Sequence, residues 1–252
     1  MSKRFVWSEL VTTQQSESSE FYRSLFGWQA EEMDMGEEGT YLMLKAGEEQ
    51  VAGIAASPQK IATHWLSYLA VDDVDVAATR IVELGGQLLG KPFDIPNVGR
   101  AVVAQDSTGA AFAAFKGADG SHEPDFSKEP SLHSVCWREV IADDPEAAVA
   151  FYTGLVGWTA EPMGPGVTVF KDGDAMVGTA RKTPEMAQGG PSHWMHYFLV
   201  EDVDASAERA GGIGAKVLMP ATDIPEMGRF SVLVDPTGGV FALWKNAGAG
   251  GS

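Results

Sequence analysis

The chain writes one domain-length segment twice. Phe21-Tyr22 matches Phe151-Tyr152 and Gly27-Trp28 matches Gly157-Trp158, both at an offset of 130 residues. The offset then becomes 129: His64-Trp65 matches His193-Trp194, Tyr68 matches Tyr197, and "VDDVD" from Val71 matches "VEDVD" from Val200. "DIPNVGR" from Asp94 matches "DIPEMGR" from Asp223, and "DSTGAAFAAF" from Asp106 matches "DPTGGVFALW" from Asp235. Such a period is too long for a solenoid and has the length of a domain. The expected organisation is therefore a first domain over 1–116, a linker over 117–132, a second domain over 133–246 and a flexible tail over 247–252. The connector "GADGSHEPDFSKEPSL" from Gly117 is rich in Gly, Pro, Ser and charge, as linkers are.

Each half divides again. The stretch Val135–Ile141 is β-branched and aromatic, a strand pattern. Asp144-Pro145-Glu146 follows as a helix start: a capping acid, a proline at the first helical position and an acid in the first turn. Ala148, Phe151, Tyr152 and Leu155 recur at helical spacing, and Gly157 ends the helix. In the first copy Ser16 is the expected cap. Strands are expected near 28–33, 41–45 and 51–55. A second strand starts at Trp65, and its helix runs from Val74 to Leu84 with Ala77, Ile81 and Leu84 buried. Strands near 87–93, 101–105 and 111–116 complete the half. The order is βαβββ, four times over.

These motifs carry a resemblance. "DPEAAVAFYTGLVGW", "VDDVDVAATRIVELGG" and "DPTGGVFALW" resemble, in order and in two copies, the helix, the second-module start and the last hairpin of the vicinal oxygen chelate superfamily. That superfamily includes glyoxalase I, bleomycin-resistance proteins and extradiol dioxygenases. The likeness covers residues 5–116 and 133–245. It implies an α+β fold of two tandem domains, each a pair of βαβββ modules forming a cupped sheet around a small-molecule cavity. Fold does not decide function, because members of such a family isomerise, oxygenate or only sequester.

The resemblance also implies where a divalent metal would sit, and the residues there are not ligands. The first ligand position falls on Trp7 and Trp137, the last on Ala113 and Ala242, and the middle histidine on Leu66 and Met195. Indole and methyl groups offer no donor. The expectation is no metal and no cofactor. A shifted site using Glu9 and His64 remains an alternative, but it has two protein ligands where such sites use three.

Strand parity puts Trp7 with Glu9, and Trp137 with Glu139, on the face that the family turns to its cavity. A buried carboxylate must be paired, protonated or wet. Glu9 and Glu139 are the candidate catalytic residues: desolvation would raise them toward general-base range. The bland alternative is a structural partner such as Arg100, Arg229 or a backbone amide. Trp7, Trp137, Tyr68 and Tyr197 are candidate ligand contacts through stacking and orientation. His64 and His193 either titrate in a site or brace a strand start. Arg100 and Arg229 either clamp a ligand oxygen or fix Asp94 and Asp223. Trp28 and Trp158 fit the cavity edge or the core equally. His122 and His133 are read as structural or solvated, and His196, which stands where the first copy has Ser67, is discounted.

The remaining composition excludes partners. Eighteen Lys and Arg against 35 Asp and Glu leave a net charge of −17, which repels nucleic acid and anionic lipid. One cysteine, Cys136, forms no intramolecular disulfide and suits a reducing cytoplasm. The expected partner is a small organic molecule, aromatic or partly cationic. The expected state is a monomer in which duplication replaces a homodimer, with a homodimer as the alternative. Three functions stay open: a binding protein with metal-independent isomerase, lyase or tailoring chemistry, a drug- or metabolite-sequestering protein, and a metal-dependent glyoxalase- or dioxygenase-like enzyme with relocated ligands.

Overall fold

The computed structural model describes residues 3–36, 39–57, 61–118, 128–185 and 189–248. Most of the expected linker, with His122, and the end of the expected tail lie outside the described residues. The first half runs β1 (Phe5–Thr12), α1 (Gln15–Phe26), β2 (Gln29–Asp34), β3 (Thr40–Ala46), β4 (Glu49–Ala56), β5 (His64–Ala70), α2 (Val74–Glu83), β6 (Gln87–Leu88), β7 (Phe93–Ile95), β8 (Gly99–Gln105) and β9 (Ala111–Gly117). The second runs β10 (Val135–Ala142), α3 (Pro145–Val156), β11 (Thr159–Gly164), β12 (Val167–Asp172), β13 (Ala175–Lys182), β14 (His193–Leu199), α4 (Val203–Gly212), β15 (Lys216–Ile224), β16 (Gly228–Val234) and β17 (Val240–Asn246).

Local chemistry explains most boundaries. Asp144 caps α3 by accepting from the Ala147 N–H at 3.0 Å, with Pro145 as the first helical residue. Gly157 ends it in the left-handed region at φ 76° and donates its N–H to the Thr153 carbonyl. The start of α1 departs from expectation. Ser16 lies inside the first turn, and the capping position is Gln14, whose N–H is held by Thr12 Oγ1 at 3.1 Å. Leu84 is only half-buried because α2 ends at Glu83 and Leu84 is its C-cap. The expected strand over 87–93 is two short pieces, β6 and β7. Pro92 between them has no N–H to give a ladder.

Each half makes one curled sheet. The order is β2-β3-β4-β1-β5-β9-β8-β6 in the first, with β7 also on β8, and β11-β12-β13-β10-β14-β17-β16-β15 in the second. Parallel pairing sets Glu9 opposite Gly53 and Leu10 opposite Ile54, and in the second half Glu139 opposite Thr179. Parity then divides the faces. Leu10, Leu42, Leu44, Ala52 and Ile54 join the α1 side chains in one core, so Glu9, Tyr41, Met43 and Gly53 share the face without helices. Likewise Val140, Phe170 and Ala180 lie under α3, and Glu139, Val169, Thr179 and Arg181 lie on the other face.

The compact units do not follow the halves. One contains α2 and its strands together with α3, β11, β12 and β13; the other contains α1, β2, β3 and β4 together with α4 and its strands. In the first, Phe151 and Tyr152 of α3 pack with Ala77 and Ile81 of α2 and with Val102 and Phe112. In the second, Phe21, Tyr22 and Leu25 of α1 pack with Val203 and Ala207 of α4 and with Phe241 and Leu243. Full burial of side chains of this size is worth about 1.5–3 kcal/mol each.

A polar relay runs through each core and joins three of the duplicated motifs. Trp65 Nε1 donates to the Tyr22 hydroxyl at 3.1 Å, and that hydroxyl donates to Asp235 Oδ2 at 2.9 Å. Asp235 Oδ1 holds its own hairpin, accepting from Thr237 N at 2.8 Å and Gly239 N at 2.9 Å. In the other unit Trp194 Nε1 donates to the Tyr152 hydroxyl at 2.7 Å, and Asp106 Oδ1 holds the matching hairpin through Thr108 N at 2.8 Å. Asp106 Oδ2, however, lies beside the Tyr152 hydroxyl without meeting the geometry of a hydrogen bond. Burial first, and then the charge of Asp235 or Asp106, pushes both tyrosines well above the ordinary phenol range, so each stays a donor.

Candidate functional site

The helix-free faces carry the two buried acids, each inside one unit. Glu139 is 3% exposed. Thr179, directly opposite on β13, donates its hydroxyl to Glu139 Oε1 at 3.1 Å. Arg181, two residues further along the same face, brings Nε to 3.2 Å from the same oxygen. Arg181 is therefore one partner of this acid, and the expected Arg229 is elsewhere.

Glu9 is 8% exposed and faces Gly53 in register. Gly53 has no side chain for a specific reason. A Cβ built there would lie 1.7 Å from the Tyr41 hydroxyl oxygen. The Tyr41 hydroxyl therefore lies over Gly53, the residue paired with Glu9. Register maps Gly53 onto Thr179, Tyr41 onto Val167 and Ala55 onto Arg181. Both acids thus have a hydroxyl-bearing neighbour, supplied from β3 in one copy and from β13 in the other.

Trp7 and Trp137 are half-buried and share strand parity with Glu9 and Glu139. Tyr68 pairs in register with Ala113, and Tyr197 with Ala242, all four on helix-free faces and buried. Tyr68 meets Phe115 edge-on at 6.1 Å; Tyr197 lies 6.3 Å from Phe230 and 6.2 Å from Trp244. His64 and His193 are half-buried strand-start braces, with Nδ1 at 2.9 Å from the Ala62 carbonyl and 3.0 Å from the Pro191 carbonyl.

Four candidates stand away from these faces. Arg100 and Arg229 lie on the helix-covered side, since Val102 and Ala104, two and four residues past Arg100, belong to the core. Arg100 binds Asp75 at 2.9 Å and Asp94 at 2.8 Å; Arg229 binds Asp204 at 2.7 Å and Asp223 at 2.9 Å. They fix hairpins to helices, the second of the two roles expected for them. Trp28 and Trp158 are core residues, stacked on Tyr22 at 5.5 Å and Tyr152 at 6.1 Å. Trp158 Nε1 also donates to the Lys3 carbonyl at 2.5 Å. His196 is fully buried on the core face, 5.5 Å from the Trp65 ring. His133 stacks on Phe26 at 5.2 Å. A groove of about 370 Å³ beside α2, lined by Lys3, Val71, Asp72, Val76, Arg80 and Leu155, contains none of the duplicated site residues.

Sequence reasoning missed Tyr41, Thr179 and Arg181. None is duplicated, and the search was anchored on repetition. The available signal was parity: each lies on the same face as a neighbouring acid.

A divalent metal does not fit the family positions. Leu66, Ala113, Met195 and Ala242 are buried and carry no oxygen or nitrogen donor, and the strand partners of the alanines are tyrosines. His64 commits Nδ1 to a carbonyl, and among the described residues no three His, Cys, Asp or Glu side chains gather as a ligand set.

Comparison with known proteins agrees with the architecture. The family described as "Glyoxalase/Bleomycin resistance protein/Dioxygenase superfamily" matches residues 4–114, and that described as "Glyoxalase-like domain" matches 134–244. A protein of Mycobacterium tuberculosis named "Putative glyoxylase CFP32" is 38% identical, covering 96% of this chain and 94% of its own. The "Anthracycline biosynthesis protein DnrV" of Streptomyces peucetius is 30% identical, covering 94% and 91%. Among solved structures, the Mn(II)-bound glyoxalase of Novosphingobium aromaticivorans superposes with TM-score 0.63 at 17% identity, covering 96% of this chain and 83% of that one. The 2,2',3-trihydroxybiphenyl 1,2-dioxygenase of Sphingomonas wittichii gives TM-score 0.64 at 13% identity, covering 98% and 91%. At these identities the likeness is one of fold.

Proposed function

The chain belongs to the Glyoxalase/Bleomycin resistance protein/Dioxygenase superfamily, and from that premise we propose that it binds a small aromatic organic molecule on the helix-free faces of its sheets, without a metal at the family's ligand positions. The observation that carries this reading is the pair of buried acids, Glu9 and Glu139, each on a helix-free face with a hydroxyl on the neighbouring strands. Trp7 and Trp137 supply flat apolar area for stacking. The acids accept hydrogen bonds from the guest's hydroxyl or amino groups. The name of the Streptomyces relative, with its role in anthracycline biosynthesis, supports a polycyclic aromatic guest. Where a reaction follows, Glu9 and Glu139 are the acids we assign to proton transfer. The Thr179 hydroxyl and Arg181 hold Glu139. We take the protein to act as a cytoplasmic monomer.

The test is titration with an anthracycline, followed by quenching of tryptophan fluorescence, with and without a chelator, and chromatographic recovery of the guest. Saturable quenching that survives chelation and weakens at least tenfold in Glu9→Gln or Glu139→Gln is expected. No saturable binding across a panel of polycyclic aromatics would sink the proposal, as would binding abolished by chelation and restored by Mn, Fe or Zn. Recovery of an altered guest identifies an enzyme; unaltered recovery identifies a carrier.

A further inference from the structure

One of the register positions at which the two copies differ carries a charge. The first has Ala55 where the second has Arg181, opposite Val11 and Ile141 respectively. Arg181 projects from β13 on the helix-free face, and its side chain is 31% exposed. Its Nε is buried 3.2 Å from Glu139 Oε1, within ion-pair distance but out of line for a hydrogen bond. Among the described residues Glu139 is its one ionic partner. A guanidinium anchored at Nε keeps two terminal nitrogens in one plane. That fork matches the two oxygens of a carboxylate, which a lysine ammonium does not. The chain as a whole is strongly acidic, with a net charge of −17.

We propose that Arg181 makes the second copy selective for an aromatic carboxylate, with Glu139 holding the guanidinium in place and Thr179 holding Glu139. This rests on the binding function proposed above and assigns the guest's charge to one of its two faces. Glu139 acts here as a positioning residue: its charge fixes the arginine and contributes no contact to the carboxylate.

The experiment compares 2-naphthoate with 2-naphthamide, equal in shape and different in charge, by calorimetry on the full chain. At least a tenfold preference for naphthoate is expected in the parent. It should vanish in Arg181→Gln and fall severalfold in Arg181→Lys, which keeps the charge and loses the fork. Arg181→Gln leaves Glu139 buried without its cation, so Glu139→Gln with Arg181→Gln serves where the single variant does not fold. Circular dichroism establishes the fold of each. A naphthoate preference that persists in Arg181→Lys and in the double variant overturns the assignment. Equal binding of acid and amide in the parent overturns it while leaving the binding function standing. Failure of both probes to bind refutes both.

Discussion

The relay beneath each sheet predicts that two chemically identical substitutions will differ in cost. Tyr22→Phe removes a hydroxyl that accepts from Trp65 and donates to the buried carboxylate of Asp235. A hydrogen bond to a charged group is worth about 1.5–3 kcal/mol, and a buried N–H left without an acceptor costs at least about 1 kcal/mol more. The expected loss is about 3 kcal/mol, or roughly 6–12 °C in Tm for a chain of this size. Tyr152→Phe strands Trp194 in the same way, but Asp106 Oδ2 has no hydrogen bond to lose. Its expected loss is about 1–2 kcal/mol. Urea unfolding followed by circular dichroism, compared at equal m-value, measures both. If the two variants fall within about 0.5 kcal/mol of each other, or if Tyr152→Phe is the costlier, the relay is not the asymmetric device described here.

Further predictions concern single contacts. Gly53→Thr should lose about 1–3 kcal/mol through collision with the Tyr41 hydroxyl; adding Tyr41→Val recreates the second copy's residues and should restore stability to within about 1 kcal/mol in thermal unfolding. Burial, with a smaller push from the Arg209 charge, holds His133 below its ordinary value. The unfolded chain therefore takes up a proton below about pH 6.5 that the folded one refuses, so stability is full above that pH and declines toward pH 5. His133 sits at φ 68°, which asparagine tolerates, and His133→Asn should flatten the decline in a pH series of melting curves. Arg100→Ala and Arg229→Ala remove solvent-screened, exposed ion pairs, and each should leave the melting temperature nearly unchanged and guest affinity within about twofold by fluorescence titration.

What the sequence revealed depended on whether a local rule had competitors. Asp144-Pro145-Glu146 and Gly157 specify a helix start and stop by themselves, and the structure has both. Ser16 obeyed the same capping rule, but Thr12 was placed to hold the preceding N–H and the helix began one residue before Ser16. Trp28 and Trp158 have the chemistry of a pocket wall and of a core alike; α1 and α3 pack over them and decide the matter. Arg100 could not be assigned a face before β8 had a register, because the turn of Pro96 and Gly99 hides its parity. The cores were the least legible. The halves are near copies, so exchanging which second module covers which first module leaves every hydrophobic pattern intact. The pattern therefore specifies a partner without saying whose. Tyr41, Thr179 and Arg181 escaped for the converse reason: they are what the two copies do not share.

That exchange of modules bears on how the chain is made. Tyr22 and Asp235, hydrogen-bonded across the second unit, are 213 positions apart, while the unit built from α2 and α3 is complete before α4 has been translated. At about 5–20 residues per second, α1 leaves the ribosome tens of seconds at the slow limit before its cover exists. Its aromatic face must wait with the hydrophobic residues uncovered, which makes the amino-terminal module the natural client of a holding chaperone and the place where a stalled or shortened chain would begin to aggregate.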